Sequence, residues 1–395
     1  MPLPPKATTT VASKLLGGLD TPIANPLACV SLPDPVNVDF KPPIIAIPGQ
    51  TRIWQEPNFP LRLSPDRGYT FIDQNAWRCR ESPLEPLFRS ILITQQLIGN
   101  TSFSLSKHLI DVVTDRNNLR KLCAMVRSIR LCETLTPSKN REFRIDAQLA
   151  PNGRTLLLTR YSPEPRKRVN PGDTGYGTNF EHATTSNYTP VLVSSHGQSR
   201  LEKFSPTSYH RVAKYSLADL NLLVRYEVDA VQHVPPIDDT HISKQPPSEQ
   251  RIETQPHSTL CHIISGTLSP QDHAIELKTS KLRWARAYPQ LYFSQTPILK
   301  VGIHRNGNFS RVENYMMDQI HEGPAAESSR EMIDNLRFLV PILKQMQHAC
   351  QQHGRSGNPL AFFWSGDGPL KLYEIKHPKR SYSLPKDILA SPLVN

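Results

Sequence analysis

The sequence lacks most of the features that mark membrane, secreted or zinc-dependent proteins. No run of eighteen or more apolar residues occurs, so no segment is long enough to form a transmembrane helix. Met1 to Asp20 has neither the compact apolar core nor the small-residue cleavage site of a secretory signal. The six cysteines are scattered, with no CxxC pair and no His partner at zinc-finger spacing. We therefore expect an intracellular protein with reduced thiols and no membrane partner.

Proline, in contrast, is abundant, and it marks the segments that we expect to lie outside a folded core. The chain has 37 prolines in 395 residues. Residues 1–38 are predicted to be a disordered tail rather than an organelle transit peptide, because Arg is missing before Asp20. Residues 232–257, rich in Pro, Gln, Asp and Ser, are predicted to be a flexible insertion. We expect one catalytic domain over residues 39–380 and a C-terminal tail over residues 381–395.

The spacing of apolar residues predicts a mixture of helices and strands. Helical spacing occurs in Leu84–Leu97, Ser104–Val113, Asn118–Ile129 and Glu331–His353. Strand-like segments are Phe143–Leu149, Thr155–Tyr161, Leu222–Val231, Ala274–Thr279, Ile298–His304, Leu360–Trp364 and Leu370–Ile375. The turn residues Pro151–Gly153 predict a hairpin of the first two segments, and Ser365–Gly368 predict a hairpin of the last two. Because the regular alternation of a doubly wound fold is missing, the pattern predicts an α+β fold of mixed β-sheets flanked by helices.

Two of the strand-like segments carry acidic residues at a spacing of two. Glu227 and Asp229 are predicted to share one strand face, and so are Glu276 and Lys278. Carboxylate oxygens suit a hard cation such as Mg²⁺ or Mn²⁺. A Glu-x-Lys strand is typical of PD-(D/E)xK nucleases, in which the acid binds the metal and the Lys orients water or offsets charge. For any single triplet, the alternative is an alternation of charges on a solvent-facing strand.

Two further segments, Asp111–Arg116 and Gly177–Glu181, precede these triplets. In this order the four segments resemble the DXO-type decapping and exoribonuclease family and its nuclear fungal relatives, which have a motif Arg, then G-x-x-F-E, E-h-D and E-h-K, where h is apolar. Glu276–Ser280 is similar to the family's ELKTS-like run, and Gly68–Ile72 resembles its N-terminal segment. Gln290, Pro297 and Gly302 keep the family's spacing after E-h-K, so the resemblance covers roughly residues 60–310.

The resemblance implies a PD-(D/E)xK-nuclease-like catalytic core that uses one or two Mg²⁺ or Mn²⁺ ions. It implies that Glu181, Asp229 and Glu276 are metal ligands. The same resemblance implies catalytic roles for Glu227, which would hold metal-bound water, and for Lys278, near the nucleophile or scissile phosphate. Arg116 and Gln290 would contact RNA phosphates.

The implied substrate is the 5′ end of RNA. The implied reactions are removal of pyrophosphate, of incomplete guanosine caps or of NAD caps, with or without 5′-to-3′ digestion, and a separate exoribonuclease subunit is an implied partner. The net charge of +11 indicates a polyanionic partner, because clustered Lys and Arg bind phosphates. Arg166–Arg168 is either an RNA contact, a nuclear signal or a solvated loop. We expect the protein to be located in the nucleus rather than in the cytoplasm.

The sequence departs from the family pattern around the motif Arg and after Gly302. Asp115 and Asn117 stand where relatives have Trp and Gly, and His304 stands where they have Arg. His304 is either a phosphate contact or a surface histidine at a strand end. These departures favour the alternative of a catalytically inactive relative that binds RNA or an exoribonuclease. Against it, Glu181, Glu227, Asp229, Glu276 and Lys278 are all present, and a chain without catalytic demand would be expected to lose at least one.

Overall fold

The computed structural model describes most of the chain outside several loops. It describes residues 14–19, 25–36, 45–47, 52–67, 70–72, 82–97, 99, 103–131, 141–163, 166–168, 175–186, 191–195, 198–202, 208–232, 250–251, 253–254, 261–262, 269–279, 282–354, 359–376 and 383–395. Most of the predicted insertion (residues 233–249, 252 and 255–257), together with Gly68 and Tyr69, lies outside these residues, and so do the side chains of Arg166–Arg168.

Helices and strands alternate irregularly in the described residues. The α-helices are α1 (Glu85–Leu97), α2 (Arg116–Arg130), α3 (Gly177–Thr184), α4 (Trp284–Ser294), α5 (Met317–Ile320), α6 (Ala326–His353) and α7 (Lys386–Leu389). The strands are β1 (Ala28–Val30), β2 (Ile45–Ile47), β3 (Ile53–Trp54), β4 (Leu61–Arg62), β5 (Thr70–Ile72), β6 (Val112–Asp115), β7 (Phe143–Leu149), β8 (Leu156–Arg160), β9 (Arg166–Arg168), β10 (Thr185–Ser186), β11 (Val191–Ser195), β12 (Gln198–Glu202), β13 (His210–Leu217), β14 (Leu220–Glu227), β15 (Ala230–Val231), β16 (Gln250–Arg251), β17 (Glu253–Thr254), β18 (Cys261–His262), β19 (Ala274–Thr279), β20 (Ile298–Arg305), β21 (Asn308–Met316), β22 (Leu360–Trp364) and β23 (Leu370–Glu374).

Two mixed sheets form the body of the fold. A nine-stranded sheet has the order β1-β23-β22-β7-β8-β6-β14-β13-β2, and a seven-stranded sheet has the order β10-β3-β15-β19-β20-β21-β4. Each sheet combines parallel pairs, such as β6 with β14 and β19 with β20, with antiparallel ones. The predicted α+β architecture of mixed sheets flanked by helices is therefore confirmed.

The nine-stranded sheet is covered on both faces, which explains why successive residues of its central strands are buried. Leu222 and Val224 of β14 pack in one core cluster with residues of α2, α4 and α6. Leu223, between them in sequence, packs in a second cluster with residues of α1 and α7. Successive side chains of a strand point to opposite faces, so burial of both kinds of position requires a layer on each side. None of the helices in the described part of the chain is long and apolar enough to span a membrane.

Several predicted elements agree with the structure, and one does not. The predicted hairpins correspond to the antiparallel pairs β7–β8 and β22–β23, and the predicted helix over Glu331–His353 forms the larger part of α6. The helix predicted over Ser104–Val113 is wrong, because the chain turns there and then enters the buried strand β6. The β-branched residues Val112 and Val113 instead fill a parallel strand between β8 and β14.

Both predicted tails contain packed residues, contrary to expectation. Within residues 1–38, β1 pairs with β23 at the edge of the nine-stranded sheet, and Leu15 and Val30 are buried. Within residues 381–395, Leu393 and Val394 are buried in the second core cluster. These apolar side chains remove surface from water, which offsets the conformational entropy that favours a disordered chain.

Candidate active site

The chain crosses from the nine-stranded sheet to the seven-stranded sheet within the Glu-Val-Asp segment. Glu227 is the last residue of β14, and Ala230 is the first of β15, where it pairs with Ile275 of β19. Asp229 lies in the link between the two strands, and its Oδ2 accepts a hydrogen bond of 2.7 Å from the Leu277 amide. The prediction that Glu227 and Asp229 share one strand face is therefore wrong. The crossing, rather than strand alternation, brings both acids to the Glu-x-Lys strand.

Glu276 lies at the centre of the contacts between these elements. Its side chain is only 3% exposed, and its Oε2 accepts a hydrogen bond of 3.1 Å from Arg116 Nη1 at the start of α2. Its Oε1 accepts hydrogen bonds from Lys278 Nζ on the same strand and from Gln290 Nε2 on α4. Burial opposes ionisation of Glu276, but Lys278 and Arg116 outweigh this effect and lower its pKa to about 2. Glu276 is therefore a carboxylate at neutral pH.

Glu181, Glu227 and Asp229 have raised pKa values because the surrounding protein limits their hydration and other carboxylates lie near them. Burial raises the pKa of Glu181 to about 7, and the charge of Glu227 adds to the shift. Glu227 is accessible at its surface, yet the surrounding protein limits its hydration and raises its pKa. Burial also raises the pKa of Asp229, and Glu276 and Glu181 raise it further. The four predicted acids thus form one electrostatically coupled group.

Two cationic side chains besides Arg116 oppose this negative charge. Burial alone would lower the pKa of Lys278, but Glu276 and Asp229 raise it, so Lys278 is an ammonium group. Arg52 lies outside the motifs recognised in the sequence. The distance between its Nη1 and Oε2 of Glu181 is 3.5 Å. Arg52 and Lys278 lower the pKa of Glu181, and Lys278 lowers that of Asp229, but burial and the neighbouring carboxylates outweigh these cations.

The donor set fits a divalent cation in its chemistry, although the side chains are not arranged around one. Its carboxylate oxygens are the ligands that Mg²⁺ and Mn²⁺ prefer. Within the described residues, no group of three or more His, Cys, Asp or Glu side chains is positioned to hold a metal ion. The contacts of Glu276 give a reason, since Arg116, Lys278 and Gln290 occupy its two oxygens. Metal binding would have to replace some of these hydrogen bonds.

Asp115 fixes the position of Arg116 through a buried ion pair. In the parallel pairing of β6 with β14, Asp115 stands opposite Arg225. Arg225 donates from Nε to Oδ1 of Asp115 at 2.6 Å and from Nη2 to Oδ2 at 3.0 Å, and from Nη1 to the carbonyl of Pro83 at 2.7 Å. Arg116, the residue after Asp115, begins α2 and donates a hydrogen bond to Glu276. Asp115, which departs from the family pattern, is thus part of the scaffold of the site.

Helix α3 carries Glu181, and Asp66 caps the start of this helix from a distant loop. Asp66 Oδ2 accepts a hydrogen bond of 3.0 Å from the amide of Thr178, and its Oδ1 accepts one of 2.9 Å from the amide of Asn179. The first amides of a helix have no partner within the helix, and a carboxylate there also faces the positive end of the helix dipole. Asp66 therefore sets where α3 begins and, through it, the position of Glu181.

Gly302 allows the other side of α3 to approach β20 closely. A Cβ atom at Gly302 would lie 2.6 Å from Cε2 of Phe180 and 2.8 Å from Cε1 of Phe309. These two rings stack with centroids 4.9 Å apart, and both residues are fully buried. The glycine in the Gln290, Pro297 and Gly302 spacing is thus required by the packing of the residue that precedes Glu181.

A comparison with known protein families shows the family of this chain. Residues 39–361 match the family described as a domain of unknown function, DUF8563. The chain belongs to this family. A search of curated protein sequences gave no match for the DUF8563 chain.

Three solved structures show which fold the DUF8563 chain shares. Rai1 of Scheffersomyces stipitis, in complex with (3′-NADP)⁺ and calcium ion, is 12% identical with a TM-score of 0.54, over 91% of this chain and 95% of that one. S. pombe Rai1 is 14% identical with a TM-score of 0.50, over 88% and 99%. Candida albicans Rai1, in complex with pU5-Mn²⁺, is 11% identical with a TM-score of 0.50, over 88% and 93%. At these identities the similarity shows a DXO-like fold and no more.

His304 of the DUF8563 chain lies among the aromatic residues around α3. Its ring meets Tyr176 edge-on at 4.7 Å and lies 4.5 Å from Phe309, and its Nδ1 accepts a hydrogen bond of 3.3 Å from Gly307. Burial lowers its pKa, which favours the neutral ring. This environment is that of a packed strand-end histidine and not of a cationic phosphate contact.

The structure thus brings all seven predicted site residues of the DUF8563 chain into one region. Their functional roles stay predictions. Sequence reasoning missed Arg52, Asp66 and Arg225, which hold this region together through an ion pair, a helix cap and a buried salt bridge. Asp115 could have given a signal for Arg225, because a charged residue inside an apolar strand requires a partner.

Proposed function

We propose that this protein is a metal-dependent hydrolase of RNA 5′ ends. The observation that carries the proposal is the group of Glu181, Glu227, Asp229 and Glu276 with Lys278 at the crossing between the two sheets. Phosphate hydrolysis needs neutralisation of charge on phosphoryl oxygens and a positioned water. A group of carboxylates beside an ammonium and a guanidinium group provides the side chains for both.

Each predicted residue has a role in this proposal. Glu181, Asp229 and Glu276 would hold one or two Mg²⁺ or Mn²⁺ ions, which would offset phosphate charge and lower the pKa of a water molecule. Glu227, accessible to solvent, would accept a hydrogen bond from the attacking water. Lys278 is an ammonium group and would face the developing negative charge. Arg116 and Gln290 would bind RNA phosphates after releasing Glu276.

The proteins of similar fold support this choice of ligands. The S. stipitis Rai1 structure contains (3′-NADP)⁺ and a calcium ion, and that of C. albicans Rai1 contains pU5 and Mn²⁺. Nucleotide phosphates and a divalent cation are the ligands that the carboxylates and cations of this chain would attract. The 5′ group that is removed, an exoribonuclease partner and a nuclear location stay predictions.

One observation favours a second candidate, a catalytically inactive relative that binds RNA or an exoribonuclease. Arg116, Lys278 and Gln290 together occupy both carboxylate oxygens of Glu276. If these contacts persist in the presence of Mn²⁺, the positive charges of Arg116 and Lys278 oppose the binding of a metal ion to Glu276. RNA or a partner protein would then be bound without hydrolysis.

Incubation of the purified protein with Mn²⁺ and four RNAs distinguishes the two candidates. The RNAs carry a 5′ triphosphate, monophosphate, guanosine cap or NAD cap. We expect at least one to be altered, and we expect Glu276→Ala to be slower by more than about 100-fold, because even outer-shell changes at metal sites cost 10–100-fold. Glu322→Ala, at a side chain 89% exposed, is the matched control. Unaltered RNA in every reaction, or an equally active Glu276→Ala, would refute hydrolysis at this site.

A further inference from the structure

A basic groove opens beside Glu276, between α2, α4 and α6. Its volume is about 280 Å³, and its lining includes the four cations Arg120, Lys121, Arg127 and Arg286. Among the described residues that line it, Glu331 is the only acid. A concave surface with this excess of positive charge attracts anions.

The groove adjoins, along α2 and α4, the two residues that contact Glu276 from these helices. Arg116 and Arg120 lie one helical turn apart on α2, and Gln290 and Arg286 lie one turn apart on α4. Arg116 and Gln290 both contact Glu276, so Arg120 and Arg286 each lie one helical turn, about 6 Å along the helix axis, from a residue that contacts Glu276. Arg120 on α2 and Arg286 on α4 are thus the next cations along the two helices from Arg116 and Gln290.

The charges of the groove are balanced at its far end but not beside the carboxylate site. Arg127 is paired with Glu331. In the part of the chain that the structure describes, no hydrogen bond or ion pair reaches the guanidinium group of Arg120 or Arg286. Burial lowers the pKa of Arg120, and the nearby charges of Arg116 and Arg286 lower it further, although the charge of Glu276 opposes them. Such mutual repulsion is relieved when an anion binds between the cations.

We propose that this groove binds the phosphates of the RNA strand on the 3′ side of the reacting phosphate. The inference rests on the proposed function, because a substrate held by its 5′ end can continue from Glu276 only in the 3′ direction. The cavity is at the lower limit for small-ligand sites, which suits a sugar-phosphate chain better than a bulky cofactor. Arg guanidinium groups are well suited to phosphate, since they donate two parallel hydrogen bonds.

Binding of single-stranded RNA in the absence of metal tests this groove separately from hydrolysis. The probe is a 5′-phosphorylated ten-nucleotide RNA with a 3′ fluorophore, titrated with full-length protein in EDTA at several KCl concentrations and followed by anisotropy. We expect Arg120→Gln/Arg286→Gln to raise Kd about tenfold at moderate salt, and to reduce the slope of log K against log salt by about 1.4, because each lost phosphate contact contributes about 0.7 for a single strand.

Arg286→Glu and Arg311→Gln make this test specific. Arg286 is exposed at the groove, so charge reversal there should weaken binding without a loss of thermal stability. Arg311, 61% exposed on β21, is the matched control and should leave Kd unchanged. RNA binding that is absent, unaffected by the groove variants or equally weakened by Arg311→Gln would overturn the groove. If the protein hydrolyses RNA but the groove variants bind RNA normally, only the proposal of RNA binding in the groove is overturned. If the groove variants weaken RNA binding but the protein hydrolyses no RNA, only the proposed function is overturned.

Discussion

Asp115 illustrates how a single residue can depart from a family pattern and still be fixed by its surroundings. The DXO-type family, which this chain resembles, has a Trp at this position. A Trp side chain is uncharged, so it can be buried without a counter-charge. A buried carboxylate needs a counter-charge and hydrogen bonds, and Arg225 supplies both through two contacts of 2.6 and 3.0 Å. Since Asp115 directly precedes Arg116, this pair supports the position of the predicted RNA-binding residue.

Removal of both partners of this pair should destabilise the protein by less than the sum of the two single removals. Asp115→Leu leaves Arg225 buried without its partner, and Arg225→Met leaves Asp115 in the same state, so each should lower the free energy of unfolding by roughly 3 kcal/mol. The double variant should lose clearly less than the sum, because no unpaired charge remains. Urea unfolding of the four proteins measures this coupling. Additive losses would show that the two side chains do not act as a pair.

At the scale of elements, α3 depends on a residue far from it in sequence. The helix has eight residues, too few to be stable by itself, and no side-chain cap comes from Tyr176, which immediately precedes it. Asp66 supplies that cap from a separate loop, while the stacking of Phe180 on Phe309 holds the opposite side. The position of Glu181 therefore depends on contacts that no local pattern reveals.

Asp66→Ala should loosen α3 and with it Glu181. We expect a loss of roughly 1 kcal/mol in the free energy of unfolding, the usual cost of removing a cap, and a slower hydrolysis of RNA. Asp66→Asn keeps an oxygen acceptor and should lie between Asp66→Ala and the native protein. Urea unfolding and initial rates with Mn²⁺ provide the two measurements. Native stability and rate in Asp66→Ala would show that the helix needs no cap.

Local sequence patterns predicted the helices and strands better than they predicted the contacts between these elements. The β7–β8 hairpin and α6 follow from turn composition and apolar spacing, which act over neighbouring residues. For Val112 and Val113 the same spacing predicted a helix, because a short apolar segment fits either structure until β8 and β14 pair with it. The crossing between Glu227 and Asp229 also depends on distant pairing. The acids of the site were found, but not the junction that brings them together.

At the scale of the whole molecule, the site links parts of the chain that are far apart in sequence. Arg116 and Glu276 are separated by 160 residues, and Arg52 and Glu181 by 129. The negative charge collected between the two sheets opposes folding unless protons or cations offset it. Protonation and metal binding should therefore change the stability of the entire fold, as well as its activity.

Without metal, the protein should lose stability as the pH rises from about 5 to 7. The pKa of Glu181 is about 7 in the folded protein against 4.5 ordinarily, so between these values the folded state binds a proton that the unfolded chain has released. Stability then falls with rising pH, because the native state binds more protons. The raised pKa of Asp229 acts in the same direction. Urea unfolding in EDTA at several pH values measures the fall, and Glu181→Gln should reduce it.

Mn²⁺ should reverse this loss of stability above pH 7. A cation that binds only the folded protein stabilises it by about 2.7 kcal/mol at 100 times its Kd. Asp229, whose side chain accepts a hydrogen bond from the Leu277 amide, and the other carboxylates would hold the ion, which would stabilise the region where the chain crosses between the two sheets. We expect a higher Tm in Mn²⁺, reversed by EDTA and largely lost in Asp229→Asn. The control Glu322→Ala should respond like the native protein. If Mn²⁺ leaves Tm unchanged in the native protein while RNA is still bound, the carboxylates hold no metal, and the inactive relative becomes the better description.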